Sequence, residues 1–245
     1  LGMFIRDRYT VYIIVLNWNG AIDTMACLTS ILRLQGVNFK IVVCDNASSD
    51  FSYERLKSWL MVNAHGGGGV IELDRDACIS RGSGDVDGDI FLVQNGVNLG
   101  FGAGVNVGLH FALSQSDMTH AWVLNNDTEV SRNSLREMLI EIECAPDRGI
   151  CGSKLVSFSE RSRIQGVAGI YRPMFCRVSE YGRGVEVDSE ADDQLDVARF
   201  DYVIGASMLF KRSFLMDVGL FGEEYFLYFE ELDLAFRAKK KGYSQ

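Results

Sequence analysis

The sequence predicts an α/β fold in which helices flank a mostly parallel β-sheet. One observation behind this prediction is that short apolar runs, typical of buried strands, alternate with segments of helical periodicity. The other is that four predicted strands end in clusters of Asn, Asp, Ser and Gly. Strands that alternate with helices imply right-handed crossovers, which bring the carboxyl ends of parallel strands to one edge. The clusters therefore predict one polar crevice, and a binding or catalytic protein rather than a structural one.

The first half of the chain supplies four strand–helix units. Apolar residues run without interruption in the predicted strands, at residues 11–16, 41–44, 90–93 and 121–123. Apolar residues recur near three or four positions apart in the predicted helices, at residues 22–34, 51–62, 104–113 and 135–144. Ser131 and Ser134 are candidate caps of the last of these helices.

The second half is less regular. Strands are predicted over residues 150–156 and 203–210, and a final helix over residues 230–241. Residues 65–89 are rich in Gly and Asp and predict a loop inserted before the third strand. Residues 158–201 are polar and aperiodic, which predicts a variable elaboration over the crevice.

Length and charge limit the classes of function. We expect one domain over residues 1–245, with a nucleotide-binding half at about 9–130 and an acceptor-side half at about 131–245. The formal net charge of −9, without a basic stripe, argues against a protein that binds the backbone of a nucleic acid. Apolar runs reach about six residues, against the roughly twenty needed to span a bilayer, so membrane association would be peripheral at most.

The six cysteines form no C-x-x-C pair and no regular zinc spacing. Several lie in apolar periodic segments, where Cys is usually a small buried hydrophobic residue. No secretory signal pattern opens the chain. We therefore expect reduced thiols and a cytoplasmic protein, which could work at the inner face of the membrane. The last predicted helix has no obvious closing element after it, so a C-terminal truncation is expected as well.

The fourth strand end, Asn125-Asn126-Asp127, has two interpretations. Asp127 and Asn125 could hold Mg²⁺ or Mn²⁺, which prefer oxygen ligands and share their shell with substrate phosphates. Alternatively, the triplet is a polar turn before the next helix. The three similar strand ends beside it favour the site.

The second strand end carries Asp45 and Asp50. An acidic residue here could accept hydrogen bonds from a base or a ribose, and Asp45 is the better candidate. Asp50 is expected to form an Asx turn and cap the following helix. Gly100, Gly102 and Gly104 open the third helix, where backbone amides could approach phosphates. Their spacing departs from G-x-G-x-x-G, which argues against a dinucleotide-binding dehydrogenase.

Three acidic residues open the last helix after an aromatic-rich run. Acidic residues in a first turn complement the helix dipole, and Asp233 can pair with Arg237 four residues later. Two adjacent carboxylates, Glu230 and Glu231, beside bulky aromatic residues also indicate a desolvated site where a raised pKa would suit a general base.

In order and spacing over nearly the whole chain, six segments resemble the family 2 glycosyltransferases, an inverting class with the GT-A fold. The likeness is greatest to the rhamnosyltransferase-like branch that builds bacterial cell-surface polysaccharide. The segments are IVLNWN (14–19), VVCDNASSD (42–50), NLGFGAGVN (98–106), LNND (124–127), GASML (205–209) and FEELDL (229–234).

The resemblance implies a role for each segment. A UDP- or dTDP-sugar, dTDP-rhamnose among them, would be the donor, with Asp45 at its base. The residues that would line this nucleotide are Leu16, Asn17, Asn19, Asp45, Asn98, Gly102, Asn106 and Asn126. Asp127 and Asn125 would hold Mg²⁺ or Mn²⁺, although the first Asp of the family's D-x-D motif is Asn here. Gly205, Ala206 and Glu230 would lie on the acceptor side.

By the same resemblance, Glu231 would be the base that deprotonates the acceptor hydroxyl, which belongs to a saccharide or a lipid-linked saccharide. Family members often have Asp at this position, and they commonly carry a metal-binding His shortly beyond the helix; no His follows residue 231 in this sequence. Two alternatives remain. A nucleotidyltransferase usually has a Gly-rich basic loop after its first strand, which Asn17-Trp18-Asn19-Gly20 does not resemble. The other alternative is a non-catalytic module that binds nucleotide sugars.

Overall fold

A computed structural model describes residues 8–63, 69–80, 84–194 and 200–245 of the chain. The described strands are β1 (Thr10–Asn17), β2 (Asn38–Asp45), β3 (Val70–Asp74), β4 (Ile90–Gln94), β5 (His120–Asn125), β6 (Ile150–Gly152), β7 (Leu155–Val156), β8 (Ile164–Gly166), β9 (Ala168–Arg172), β10 (Arg177–Tyr181) and β11 (Ser207–Lys211). The described helices are α1 (Ala21–Ile31), α2 (Ser52–Asn63), α3 (Arg75–Ile79), α4 (Phe101–Ser114), α5 (Ser134–Glu143), α6 (Glu190–Asp193), α7 (Arg212–Val218) and α8 (Glu230–Lys240).

The central sheet has seven described strands in the order β3-β4-β2-β1-β5-β11-β6. The first five run parallel, and β11 lies antiparallel to both of its neighbours. The prediction of a mostly parallel α/β sheet is therefore confirmed. The register sets Asn17 beside Asp45, and Asp45 beside Gln94, at the carboxyl ends of their strands. Polar strand ends thus share one edge of the sheet.

Both faces of the sheet are covered, because strand side chains alternate between two apolar cores. Along β1, Val11, Ile13 and Val15 enter one core, whereas Tyr12 and Ile14 enter the other. The first core lies against α1, α2 and α5, and the second against α4, α7 and α8. The helices of each face therefore fix the sheet edge from both sides.

Residues 65–89 do not form the simple loop that the sequence predicted. The described part of this segment contains β3 and α3, and β3 extends the sheet as its edge strand beside β4. The Gly-rich composition hid this strand, which depends on pairing with β4 rather than on its own apolar residues. Residues 64–68 and 81–83, which include His65, lie outside the described residues.

Residues 158–201 are also more ordered than their aperiodic sequence predicted, since they contain β8 and an antiparallel hairpin of β9 and β10. The strand predicted at 150–156 is divided, because β6 pairs with β11 whereas β7 pairs with β8. The strand predicted from residue 203 begins only at Ser207, after a turn at residues 205–206. Among the described helices, none has the length and apolar character needed to cross a bilayer.

Candidate active site

The carboxylate of Asp45 organises the turn that follows β2. Its Oδ1 accepts hydrogen bonds from Asn17 Nδ2 at 2.7 Å and Ser48 Oγ at 2.6 Å. Its Oδ2 accepts from the Ser48 amide at 3.0 Å and from Gln94 Nε2 at 3.2 Å. Asn17 is held in turn by Thr24, whose hydroxyl donates to Asn17 Oδ1 at 2.7 Å. These contacts join the ends of β1, β2 and β4.

Asp45 and Asn17 are both 0% exposed, so neither side chain has a free surface for a ligand in this structure. That Asp45 meets a base stays a prediction, and in this structure its carboxylate holds the turn together. The physical reason is that the strand register places the carboxylate between β1 and β4, where protein donors occupy both of its oxygens. Asp50 accepts from the Ser52 amide at 3.0 Å and forms the predicted Asx turn.

Asn46 is a connecting residue that the sequence reasoning did not single out. Its buried side chain donates from Nδ2 to Asn98 Oδ1 at 2.9 Å and to the Gly100 carbonyl at 3.0 Å. Its Oδ1 accepts from Asn95 Nδ2 at 3.1 Å and from the Leu99 amide at 3.2 Å. The available signal was its position directly after Asp45, at the first turn beyond the strand. Asn46 thus fixes the 95–100 loop that leads into α4.

The start of α4 contacts the segment before α8 rather than an open crevice. Gly100 has a φ of 80°, and a side chain there would strike the carbonyl of Phe226. Gly102 packs beside Phe221 and Glu230, whereas Asn106 donates to the Phe221 carbonyl at 2.9 Å and accepts from its amide at 3.1 Å.

Both Gly102 and Asn106 were expected to line the nucleotide, and both are buried. Their contact with a nucleotide stays a prediction, and in this structure both pack against the 221–230 segment, which folds back over the first turns of α4. Asn98 remains half-exposed at the loop, where its Oδ1 also accepts from the Gly100 amide.

The end of β1 presents a second exposed rim. Asn19 is exposed in a left-handed conformation with a φ of 52°, and its Oδ1 accepts from the Ser49 amide at 2.8 Å. Leu16 is half-buried, and its methyl groups pack against Gly104 of α4. Two of the predicted nucleotide contacts, Asn19 and Leu16, therefore keep surface at the sheet edge.

The three residues of the triplet after β5 make different contacts. The backbone N–H of Asn125 donates to the Ala206 carbonyl at 3.0 Å, which joins the triplet to the turn before β11. Asn126 Nδ2 donates to Thr24 Oγ1 at 3.0 Å. Asp127 is exposed, and its carboxylate has no hydrogen-bond or ion-pair partner among the described residues. Asp127 is thus the free anionic group at this edge.

This donor set fits a divalent cation that takes only part of its shell from the protein. Mg²⁺ is often held by one or two carboxylates and completed by water and substrate phosphates. Asp127 can supply one carboxylate, and the half-buried Asn125 a neutral oxygen. Within the described ranges, no cluster of three His, Cys, Asp or Glu residues stands ready to hold a metal by itself. A cation here would need oxygens from a bound ligand.

Glu231 lies on the other side of the same turn. A methyl group added at Gly205 would stand 3.7 Å from Glu231 Oε1, so the carboxylate lies against Gly205. Burial raises the pKa of Glu231 above the ordinary value for Glu. Since Ala206 is hydrogen-bonded to Asn125, the turn brings Glu231 and the β5 triplet to one place. The sequence separates these two groups by about a hundred residues.

Glu230 points the other way, towards α4. Its side chain is 4% exposed, its Cβ lies near Gly102, and its Oε2 has no hydrogen-bond partner. Burial, with a smaller contribution from the charge of Glu231, raises the pKa of Glu230 to about 7. Asp233 makes the predicted helix pair with Arg237, with Nε to Oδ2 at 2.8 Å. The three acidic residues of one helical turn therefore have three different environments.

The segment before α8 is strained and apolar at its surface. Tyr228 and Phe229 adopt left-handed conformations with φ values of 73° and 70°, which bulky residues rarely adopt. Phe226, Leu227, Tyr228 and Phe229 are all exposed. This segment ends directly at Glu230 and Glu231, so its conformation sets the direction of both carboxylates.

The chain is similar to known glycosyltransferases in sequence. A sequence profile described as Glycosyl transferase family 2 matches residues 12–219. The low-salt glycan biosynthesis hexosyltransferase Agl10 of Haloferax volcanii is 22% identical over 158 residues, which are 62% of this chain and 47% of that protein. The chain thus spans about half the length of this curated relative.

Solved structures share the fold. Mannosyltransferase PcManGT from Pyrobaculum calidifontis, in complex with GDP-Man and Mn²⁺, has a TM-score of 0.60 at 16% identity, covering 95% of this chain and 52% of its own. TarS 1–349 of S. aureus has a TM-score of 0.57 at 15% identity, and the match covers 94% of this chain and 55% of that one. Glucosyl-3-phosphoglycerate synthase from Mycobacterium tuberculosis, in complex with Mn²⁺, UDP-glucose and phosphoglyceric acid, has a TM-score of 0.54 at 12% identity. That match covers 98% of this chain and 69% of the synthase chain. The predicted fold class is confirmed.

Proposed function

This chain belongs to glycosyl transferase family 2, and from that premise we propose that it is an inverting glycosyltransferase. It moves a sugar from a nucleotide-diphosphate sugar, a UDP- or dTDP-sugar such as dTDP-rhamnose, to a hydroxyl group. The acceptor is a saccharide or a lipid-linked saccharide used in cell-surface polysaccharide synthesis. The reaction takes place in the cytoplasm, at the inner face of the membrane.

The observation that carries this proposal is the position of Glu231. Its desolvated carboxylate lies against Gly205, and the adjoining Ala206 is bonded to the β5 triplet. A carboxylate whose pKa is raised by burial is a stronger base when ionised than an exposed one. Glu231 therefore accepts the proton of an acceptor hydroxyl next to the place where the donor's diphosphate lies.

The donor occupies the carboxyl edge of β1, β2 and β5. Leu16, Asn19 and Asn98 supply the exposed surface for the nucleotide, and the network of Asp45 and Asn46 keeps that surface in shape. Asp127, with Asn125, would hold Mg²⁺ or Mn²⁺, which when bound supplies positive charge for the diphosphate of the donor.

Chemistry then requires one displacement. The acceptor oxygen attacks the anomeric carbon as its proton passes to Glu231. The bond between that carbon and the diphosphate oxygen breaks, and its electron pair leaves with the nucleoside diphosphate. Because the attack is in line with the leaving group, the configuration at the anomeric carbon inverts.

Two assays test the proposal. A thermal-shift panel of UDP-, GDP- and dTDP-sugars, each with and without Mn²⁺, identifies the nucleotide by the largest stabilisation. An assay for hydrolysis of that donor or transfer of its sugar, with the released nucleoside diphosphate as the measured product, distinguishes an enzyme from a binding module. Release of pyrophosphate from a nucleoside triphosphate would instead favour a nucleotidyltransferase. Stabilisation by a donor without any turnover would leave only the binding module.

A further inference from the structure

The β9–β10 hairpin carries an apolar tip that no other part of the described chain covers. Residues 172–179 are all exposed, and the strands are joined by a 3₁₀ turn at Pro173–Phe175. Met174 is 88% exposed and Phe175 is 66% exposed. Val178 adds further apolar surface next to the turn, at 48% exposed. Large apolar side chains that project together from a hairpin are typical of a contact surface.

Two arginines flank this tip. Arg172 and Arg177 are directly opposite each other in the antiparallel register, so both side chains leave the same face of the hairpin. Neither makes an ion pair or a hydrogen bond through its side chain within the described residues. Like charges that face each other across two strands destabilise the pair. The tip is therefore a local positive site on a chain whose formal charge is −9.

The base of the hairpin is tied to the candidate active site. Gly169 of β9 donates its amide to the Tyr202 carbonyl at 2.8 Å, and the Tyr202 ring lies over Gly169. Burial, followed by the charge of Glu231, raises the pKa of Tyr202 to about 12. The ring of Tyr171 makes an edge contact with Phe236 of α8, with centroids 6.2 Å apart. The tip thus projects from a base that is packed against the Glu231 helix.

We propose that the hairpin tip docks on an anionic phospholipid surface, with Met174 and Phe175 in the interface and Arg172 and Arg177 on the headgroups. Apolar side chains flanked by arginines suit this boundary, because the arginine stems lie along apolar surface while their guanidinium groups reach phosphates. Charge complementarity favours an anionic surface, since two arginines that are unpaired within the described residues flank the tip, and the exposed apolar pair between them favours the apolar boundary of a lipid layer. Docking does not depend on the proposed transfer reaction.

Vesicle binding tests the proposal directly. The protein is mixed either with vesicles of phosphatidylcholine alone or with vesicles in which about a third of the lipid is anionic phosphatidylglycerol. The protein bound to each kind of vesicle is measured by flotation. The protein is expected to float with the anionic vesicles and not with the neutral ones. The double variant Arg172→Gln/Arg177→Gln should weaken binding by roughly tenfold or more, and high salt should do the same. Met174→Ser/Phe175→Ser should also weaken it.

Matched controls use equally exposed residues elsewhere. Met61→Ser/Val62→Ser removes an adjacent apolar pair on α2 that is 58% and 76% exposed, and Arg33→Gln/Arg132→Gln removes two exposed arginines. Neither control should change vesicle binding. All variants should keep the melting temperature of the parent, since these side chains project into solvent.

Three results would overturn the proposal. Equal binding to neutral and anionic vesicles would exclude recognition of headgroup charge. Equal losses in the hairpin and control variants would exclude the tip as the contact. Self-association that needs Met174 and Phe175 without any vesicle binding, measured by light scattering, would assign the tip to a second copy of the chain. Transfer to a water-soluble acceptor is measured in parallel, so a failure of docking is distinguishable from a failure of the proposed reaction.

Discussion

The two sides of the candidate site differ in how their buried carboxylates are hydrogen-bonded. At the edge formed by β1, β2 and β4, Asp45 and Asn46 are buried, and both polar atoms of each side chain are hydrogen-bonded. At the start of α8, Glu230 is equally buried, but its Oε2 has no partner. Two residues directly before it, Tyr228 and Phe229, are held in left-handed conformations.

This difference separates a scaffold from a reactive group. At the strand ends, protein donors occupy both oxygens of the buried Asp45 carboxylate and hold it in the turn. A desolvated carboxylate without such donors has a raised pKa, which costs stability and favours proton transfer. We therefore assign the shape of the site to the strand ends and its chemistry to the start of α8, where Glu231, rather than the enclosed Glu230, lies against the turn that is bonded to the β5 triplet. The following variants test that assignment.

Replacing Glu231 should have the largest effect. Glu231→Gln keeps the size of the side chain but cannot accept a proton, so transfer should fall by roughly 10²–10⁴-fold. Donor affinity should barely change, because a base used in the chemical step contributes little to ground-state binding. Steady-state transfer rates and donor titration measure the two effects separately.

Glu230→Gln and Asp233→Asn are the matched controls, since they remove the neighbouring carboxylates of the same helical turn. Both should retain most of the transfer rate. Loss of turnover in Glu230→Gln with an active Glu231→Gln would place the base one residue earlier. Equal, mild losses in all three would leave only the stabilising role of acidic residues at a helix start.

Replacing Asp45 should mainly lower stability. Asp45→Ala leaves the buried Asn17 and Ser48 donors without their acceptor, at a cost on the order of 3 kcal/mol in the free energy of unfolding. Chemical denaturation of the variant measures this cost, and Asp50→Ala, at the exposed Asx turn, is the control with a smaller expected loss. A stable Asp45→Ala protein with weak donor affinity would instead support the predicted direct contact with a base.

Replacing Asp127 should weaken binding without affecting the fold. Losing the carboxylate leaves the diphosphate poorly compensated in an acidic protein, so UDP or dTDP affinity in Mg²⁺ should fall by roughly tenfold or more, a change of about 1.4 kcal/mol. Calorimetry with and without Mg²⁺ measures this change, and Glu129→Ala is the exposed control two residues away. Unchanged affinity and unchanged Mg²⁺ dependence in Asp127→Ala would contradict the metal assignment.

The smallest effect concerns the pH dependence of stability at Glu230. Its pKa is about 7 in the folded chain against an ordinary value of 4.5, so the folded state holds an extra proton between these values. The associated stability is present below pH 4.5 and is lost as the pH rises through 7. Glu230→Gln keeps a neutral side chain, so its melting temperature relative to the parent should rise from pH 5 to about pH 8.

The exposed Glu224→Gln is the control for this pH series, because Glu224 lies in water in the folded state. Its melting temperature should stay parallel to that of the parent across the range. If the melting temperature of Glu230→Gln also differs from that of the parent by the same amount at every pH, Glu230 is ionised in the folded chain at all these pH values.

Local sequence determined the main elements. Uninterrupted apolar runs predicted β1, β2, β4 and β5, and helical spacing predicted α1, α2, α4 and α5 to within a few residues. The predicted Asx turn at Asp50 and the helix pair of Asp233 and Arg237 are likewise present. Each of these features depends on residues that are close together in the chain, so it can be predicted from the local sequence alone.

Only the tertiary structure decided the features that depend on distant partners. β3 exists because β4 pairs with it, and Asp45 is buried because β1 and β4 bring donors to both of its oxygens. Gly102 and Asn106 are covered because the 221–230 segment folds back on α4. The turn at residues 205–206 lies between Glu231 and the β5 triplet, with Gly205 beside the carboxylate and Ala206 bonded to Asn125. Such contacts follow from how the elements pack, and no local pattern of residue types contains that information.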